Sequence, residues 1–272
     1  MKVLFFGDIV GKPGRQAIAK VLPKLKQTIK PDLVIANVEN LAHGKGVTMH
    51  TINAMLEAGV EFFTSGNHVY DKPEFQEVFS QHGDKLIRPA NFAPEYVGDG
   101  WKIIEVKGQK VLIANLLGEV FMEKQVDQGP LTSPFTKIDE ILGEAGADVK
   151  IRLLDFHADA TSETRAMGFW VDGRMSLVVG THTHVQTADA QILPGGTGYL
   201  TDIGMTGAAH SVIGFTTDSV LERFRQHDVE RKKVKLEIAE EAEHYELSYV
   251  VAEIDEATGK CQNMNSVYQQ AI

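Results

Sequence analysis

Short apolar runs alternate along the chain with longer segments in which apolar residues recur every three or four positions. Residues 2–6, 33–38 and 62–65 are almost continuously hydrophobic, which predicts buried strands of a parallel sheet. Residues 14–29 and 49–58 have helical periodicity, and Pro23 predicts a kink or an early end in the first of these helices. This alternation predicts an α/β protein.

The pattern changes in the middle of the chain. Residues 101–106 and 110–115, joined by Lys107-Gly108-Gln109, predict a β-hairpin and therefore a second sheet with antiparallel pairing. Further strands are predicted at residues 149–156, 175–179, 199–203, 244–255 and 263–268, and helices at residues 71–80, 135–142, 161–170 and 217–226. We therefore expect a single domain, residues 1–272, built as a four-layer α/β/β/α sandwich.

Composition narrows the class of protein. The chain has 272 residues and a formal net charge of −10, which argues against a protein that coats duplex nucleic acid or an anionic membrane. Cys261 is the only cysteine, so no intrachain disulfide is possible and a reducing compartment fits. The first apolar run is too short for a signal peptide, and no run approaches the roughly 20 apolar residues of a membrane span. We expect a cytoplasmic protein.

Two histidines follow the predicted strand 175–179. The apolar run ends at Gly180, and His182 and His184 come next with one residue between them. Side chains two positions apart on an extended chain point to the same face, so the imidazoles can converge on one point. Such a pair at the end of a buried strand is typical of metal ligands, although two polar loop residues would give the same pattern.

Other predicted strand ends carry residues of the same kind. They are Asp8, Glu39, Asn40, Asn67, His68 and His157. Each alone has a structural explanation, such as helix capping or a tight turn. With the histidine pair they form a set of oxygen and nitrogen donors without a thiolate, which suits borderline metal ions such as Fe, Mn, Zn or Co. Two such ions about 3.5–4 Å apart can share a carboxylate and a hydroxide that attacks phosphorus.

The remaining polar residues near these strand ends are interpreted more simply. The glycines at positions 7, 11 and 14 match neither a dinucleotide-binding fingerprint nor a phosphate-binding P-loop. His43, His50 and His210 are expected to be surface or loop residues rather than ligands. Asp155 and Asp159 flank His157 and are candidates to orient its imidazole.

The motifs together resemble a known superfamily. Gly7-Asp8, Gly66-Asn67-His68 and Gly180-Thr-His-Thr-His are similar to the dispersed motifs of calcineurin-like metallophosphoesterases. The segments FFGDIVGKPGR, NVEN, TSGNHVYD, DFHADATSE, GTHTHVQTAD and TDIGMTG resemble more closely one bacterial branch, the YmdB-like family of 2′,3′-cyclic-nucleotide phosphodiesterases. The resemblance runs from residue 1 to about residue 214 and implies the same α/β/β/α fold, with the metal site at the rim where strands end.

The resemblance also implies a role for each motif residue. Its first metal would be held by Asp8, Glu39, Asn40 and His184, with Glu39 bridging, and its second by Asn67, His157 and His182. His68 would be a general acid that protonates the leaving alkoxide, and the nucleophile would be a hydroxide bridging the metals.

This chain departs from the wider superfamily at the first metal. The usual Asp-x-His motif has Val10 in place of its histidine, and Glu39 stands where an aspartate usually bridges. The branch shows the same pattern, and Asn40 is the candidate to replace the missing imidazole.

The expected activity is hydrolysis of small phosphodiesters such as 2′,3′-cyclic nucleotides with two transition-metal ions, Fe or Mn preferred and Zn compatible. A phosphomonoesterase, including a phosphoprotein phosphatase, would use the same ligands. A metal-dependent regulator that senses a nucleotide with little turnover is a third reading. The expected partner is a small phosphodiester substrate. We expect no binding to a membrane or to duplex nucleic acid, and the sequence is compatible with a homo-oligomer.

Overall fold

The structure is a computed structural model that describes residues 1–122, 125–126, 129–226, 231 and 233–270. Two six-stranded sheets form its framework, and helices cover them. Within the described ranges, no helix combines the length and the apolar character that a bilayer crossing requires.

The first sheet contains the N-terminal strands. In spatial order, its strands are β12 (Cys261–Gln270), β11 (Tyr245–Ile254), β10 (Met205–Ala208), β1 (Lys2–Ile9), β2 (Leu33–Asn37) and β3 (Phe62–Thr64). β10, β1, β2 and β3 are parallel, whereas β11 and β12 are antiparallel to their neighbours. β11 pairs with the first half of β1, and β10 joins β1 only near its end, where Asp8 lies opposite Met205.

The second sheet begins with the predicted hairpin. In spatial order, its strands are β4 (Trp101–Val106), β5 (Gln109–Leu117), β6 (Ile151–His157), β7 (Leu177–Thr181), β9 (Gly198–Leu200) and β8 (Gln191–Ile192). β5, β6, β7 and β9 are parallel, and the two edge strands are antiparallel.

The central strands of each sheet are buried on both faces, which confirms the four-layer α/β/β/α sandwich. On β1, Val3 and Phe5 face the core between the sheets, while Leu4 and Phe6 face the helices. The first sheet is covered by α1 (Gly11–Ile29), α2 (Met49–Ala58) and α3 (Phe75–His82), and the second by α4 (Pro134–Ala145) and α5 (Thr161–Trp170). Burial on two faces explains why these strands are continuously hydrophobic instead of alternating.

Several predicted elements are confirmed. The hairpin turns at Lys107 and Gly108, both at positive φ. Helix α2 has the predicted bounds, and its N-cap Thr48 forms a capping box with Thr51. The terminal strands pair antiparallel as expected.

Other predictions were wrong in detail. Pro23 lies inside α1 and does not end it, because the helix continues to Ile29. Helix α3 begins at Phe75, so Asp71 lies in a preceding turn. No strand is predicted for Met205–Ala208, but this segment forms β10, which pairs with both β1 and β11. Helix α6 (Thr217–Arg225) ends one residue before the predicted bound.

Candidate metal centre

The predicted site residues lie at one edge of the sandwich. Parallel strands end on the same side of a sheet, so β1, β2 and β3 direct their last residues to this edge, as do β6 and β7 of the facing sheet. Asp8 and His157 are the penultimate and last residues of their strands, so both are held by the sheet itself. The remaining candidates follow strand ends.

One cluster contains Asp8, Glu39 and His184. One ligand atom from each lies within 4.8 Å of the other two. Asn40 joins this cluster, since its Oδ1 lies 3.1 Å from Nε2 of His184. The four residues predicted around the first metal are therefore adjacent in space.

A second cluster shares Glu39 with the first. One ligand atom each from Glu39, His157 and His182 also lies within 4.8 Å of the others. Nε2 of His157 is 3.2 Å from Oε2 of Glu39, 3.1 Å from Oδ1 of Asn67 and 3.0 Å from Nδ1 of His182. The shared carboxylate is the arrangement that a bridging ligand requires.

These contacts fit bound metal ions better than a network of hydrogen bonds. Nε2 of His157 faces three acceptor atoms, and a single proton can satisfy only one of them well. Oδ1 of Asp8 is buried and has no hydrogen-bond partner among the described residues. Gly66 brings the chain so close that a Cβ there would lie 2.5 Å from Nε2 of His157. An unpaired buried carboxylate oxygen costs free energy that a cation would recover.

Burial and mutual charge set the protonation of the cluster. Burial raises the pKa of Asp8 well above its ordinary value, and it lowers the pKa of His182 to about 3, helped by nearby His157. Burial also lowers the pKa of His184. Burial opposes charging of His157 as well, but the Glu39 carboxylate prevails and raises the pKa of His157 to about 9. His182 and His184 are therefore neutral and ready to bind a metal, whereas His157 would release a proton on binding one.

A buried hydrogen-bond chain orients His157. Its Nδ1 lies 2.8 Å from Oγ1 of Thr181, which donates to Oδ1 of Asp155 at 2.7 Å. Asp155 thus acts through Thr181 and not by direct contact, because Thr181 on the neighbouring strand lies between them. The prediction that Asp159 orients His157 was wrong. Asp159 lies beside a different histidine, with its Oδ2 3.7 Å from Nε2 of His182. Nothing in the sequence alone singled out Thr181.

The two-histidine loop has a strained backbone that aims both imidazoles. His182 has φ 111° and His184 has φ 64°, conformations that L-residues seldom adopt. Nδ1 of His184 lies 2.9 Å from the carbonyl oxygen of Ile213, so it donates there and leaves Nε2 free as a ligand. Asp202 fixes the loop by accepting from the Thr183 N–H at 2.9 Å. Sequence reasoning missed both Ile213 and Asp202.

His68 stands beside the clusters and is partly exposed. Its backbone N–H donates to Oε2 of Glu39, and its Nδ1 lies 3.0 Å from Oδ2 of Asp71. Because a carboxylate only accepts, Nδ1 carries the proton that points to Asp71. Oδ2 of Asp71 also forms an ion pair with Nζ of Lys45 at 3.2 Å. The imidazole is therefore fixed at one nitrogen, while Nε2 has no hydrogen-bond partner among the residues that the structure describes.

A cavity of about 330 Å³ opens over the clusters. His68, Asn40, His182 and His184 line it on one side. Its apolar wall is formed by Val10, Ile213, Phe215 and Ile238. Val10 is buried in this wall, at the position where the wider superfamily has histidine.

The histidines predicted to have no ligand role lie outside the clusters. His43 is exposed and pairs with Glu240 at 2.8 Å, and His50 is exposed on α2. His210 is exposed in the loop after β10, and its ring lies against that of His244, with centroids 6.5 Å apart.

Comparisons with known proteins show the family and the fold. Residues 4–267 match the family model described as YmdB-like protein. The chain is 41% identical to the 2′,3′-cyclic-nucleotide 2′-phosphodiesterase of Bacillus subtilis, over 98% of this chain and 96% of that protein. A crystal structure described as a novel phosphatase from Mycoplasma pneumoniae superimposes with a TM-score of 0.89 at 32% identity, covering 99% and 93% of the two chains. A 5′-nucleotidase precursor from Thermus thermophilus shares the fold at 11% identity, with a TM-score of 0.57 over 100% of this chain and 54% of that one.

Proposed function

The chain belongs to the YmdB-like protein family, and on that premise we propose that it is a dinuclear-metal phosphodiesterase acting on small phosphodiesters such as 2′,3′-cyclic nucleotides. The observation that carries the proposal is the pair of ligand clusters joined by Glu39. A shared carboxylate that lines a cavity suits in-line hydrolysis of a phosphate ester. The activity named for the Bacillus subtilis relative supports the same substrate class.

The metal ligands of the proposal follow the two clusters. Asp8, Glu39, Asn40 and His184 hold one ion, and Glu39, Asn67, His157 and His182 hold the other. When bound, the two ions supply positive charge to the phosphate oxygens and lower the pKa of a bound water to about 7. The oxygen and imidazole donors are compatible with Fe, Mn and Zn alike, and we propose Fe or Mn as the native ions.

His68 is the general acid of the proposal. Asp71 accepts the hydrogen bond from Nδ1, so the imidazole can deliver a proton only from Nε2, toward the cavity. In a 2′,3′-cyclic nucleotide, water attacks phosphorus and releases one proton to solvent, the bond from phosphorus to O2′ breaks, and O2′ takes the proton from Nε2 of His68. The product is a 3′-phosphate.

The remaining parts of the proposal concern the whole chain. We assign residues 1–272 to a single metallophosphoesterase domain, which the core shared by both sheets supports. The partner is a small phosphodiester substrate, neither membrane nor duplex nucleic acid, because the net charge is −10. A cytoplasmic location accords with a single, buried cysteine.

The first test is hydrolysis of 2′,3′-cyclic AMP by the Mn- or Fe-loaded protein. Glu39→Ala removes the shared carboxylate and should abolish turnover, whereas Glu105→Ala, on the exposed side of β4, should retain it. Cleavage of phosphomonoesters in place of diesters would support the phosphatase reading. Two bound metals without turnover of either class would support a nucleotide-sensing regulator.

A second test isolates His68. His68→Ala should slow hydrolysis of 2′,3′-cyclic AMP roughly 10²–10⁴-fold, because the alkoxide leaves poorly without a proton. The loss should be smaller for bis(p-nitrophenyl) phosphate, whose nitrophenolate leaves unaided. His50→Ala on α2 is the matched control. Equal losses on both substrates would contradict the general-acid role.

A further inference from the structure

A second and larger cavity adjoins the catalytic one. Its volume is about 830 Å³, within the range of roughly 300–1,000 Å³ that is typical of small-ligand pockets. It lies beside the loop that carries His184 and is bounded by the loop after β10 and by the adjacent ends of β11 and β12. We call it the side groove; it is lined by His184, Val185, His210, Ile213, Glu246 and Tyr268, among others.

The side groove adjoins the catalytic cavity at two shared residues. His184 and Ile213 line both cavities, and Nδ1 of His184 donates a hydrogen bond to the carbonyl oxygen of Ile213. A molecule whose phosphate lies at the ligand clusters can therefore extend its remaining atoms past His184 into the groove.

The side groove offers apolar contact together with neutral hydrogen-bonding groups. Val185, Ile213 and Tyr268 expose 60%, 43% and 49% of their surface, so apolar and aromatic area is available for a flat ring. The amide of Gln270 and the hydroxyl of Ser266 also line it. Aromatic and aliphatic walls with a few polar groups are typical of a nucleoside site.

Charge excludes a second phosphate from the same groove. Among the described residues, no lysine or arginine lines it, and its one carboxylate is Glu246, which accepts from the Tyr268 hydroxyl at 3.0 Å. A further phosphate would meet a like charge without a cation to offset it.

Resting on the proposed function, we propose that the side groove binds the uncharged nucleoside of a cyclic mononucleotide while its single phosphate lies at the metal centre. The groove selects 2′,3′-cyclic mononucleotides with a free 5′-hydroxyl. It disfavours the same nucleotides with a 5′-phosphate, and therefore also the 3′ ends of RNA chains, which carry phosphate at that position.

The first arm of the test measures selectivity between two diesters. In the Mn-loaded wild type and variants, kcat/KM is measured for 2′,3′-cyclic AMP and for bis(p-nitrophenyl) phosphate, which has no nucleoside. Tyr268→Ala should lower the ratio of the two roughly 5- to 100-fold, the usual effect of losing base stacking. Tyr268→Phe keeps the ring and should restore the ratio. Phe169→Ala, an exposed aromatic on α5, is the matched control.

The second arm tests the charge argument at pH about 8, where histidine is generally neutral. Wild type should prefer 2′,3′-cyclic AMP over its 5′-phosphorylated form, and Glu246→Gln should reduce that preference roughly five- to tenfold, the size of a screened repulsion between like charges. Equal rates on both nucleotides in wild type, or an unaltered diester ratio in Tyr268→Ala, would overturn the assignment of the groove. No hydrolysis of bis(p-nitrophenyl) phosphate by metal-loaded wild type would instead overturn the proposed function, and the groove assignment with it.

Discussion

Replacing Gly66 with alanine should disrupt both metal positions with one methyl group. The added Cβ would lie 2.5 Å from Nε2 and 2.6 Å from Cδ2 of His157, and it would contact Oε2 of Glu39 even more closely. These are the shared carboxylate and the imidazole whose Nε2 faces three other ligand atoms.

The required displacement sets the magnitude. Ordinary contacts of a Cβ begin near 3.4 Å, so the imidazole must move by about 0.9 Å from its 2.5 Å position. Metal–ligand distances tolerate only about 0.2 Å. We therefore expect loss of the second metal, and at least a roughly 10²-fold loss of kcat/KM, because a misplacement of about 1 Å in a catalytic site has that effect. Overpacking should also lower the free energy of unfolding by about 1–3 kcal/mol.

The measurement combines metal content after dialysis, hydrolysis of bis(p-nitrophenyl) phosphate, and urea unfolding of the metal-free proteins. Gly143→Ala is the control, because Gly143 lies in helix α4 and a Cβ there meets nothing within 4 Å. That variant should keep both metals and gain up to about 1 kcal/mol of stability from helix propensity. A folded Gly66→Ala protein with two metals and wild-type turnover would refute the close approach of Gly66 to the ligands.

Three further predictions test other parts of the structure. Thr181→Val should weaken metal binding about 10–100-fold in chelator competition, because His157 loses its link to Asp155, while Thr181→Ser should keep it. Burial raises the pKa of the Cys261 thiol to about 11, so only about one thiol in a thousand is ionised at pH 8, and iodoacetamide should label Cys261 in urea but not in the native protein. Ile213→Asn should raise the free energy of unfolding by about 1 kcal/mol, because asparagine tolerates positive φ, yet lower the diester ratio by removing an apolar wall. Rapid native labelling, or an unchanged or lower stability of Ile213→Asn, would contradict the last two.

Most of the fold could be predicted because its central strands are buried on both faces. Long apolar runs such as that of β1 leave little ambiguity, and the hairpin turn at Gly108 marks the change to the second sheet. β10 was missed because its residues, Met205 to Ala208, include glycine and threonine and few large apolar side chains. It forms a strand because it pairs with β1 on one side and with β11 on the other.

The ligand clusters could be located because their residues follow strands that end at one edge. The residues that orient them could not, since they are identified by contacts and not by pattern. Thr181 is an ordinary strand residue in the sequence, yet it links His157 with Asp155. Ile213 contributes a backbone carbonyl, which no side-chain motif reveals.

The loop after β10, for which the sequence predicts no helix or strand, has a strained backbone. Ile213 and Gly214 both have positive φ, and Val212 and Phe215 exchange two backbone hydrogen bonds across them, as in a tight two-residue turn. A β-branched residue is unfavourable at that position, where asparagine is usual. The compensation is functional: the same residue directs its carbonyl to His184 and its side chain into both cavities. The local backbone preference of Ile213 therefore conflicts with the contacts that it makes at the metal centre. Backbone strain of this kind costs about 1–3 kcal/mol per residue and is expected at functional sites.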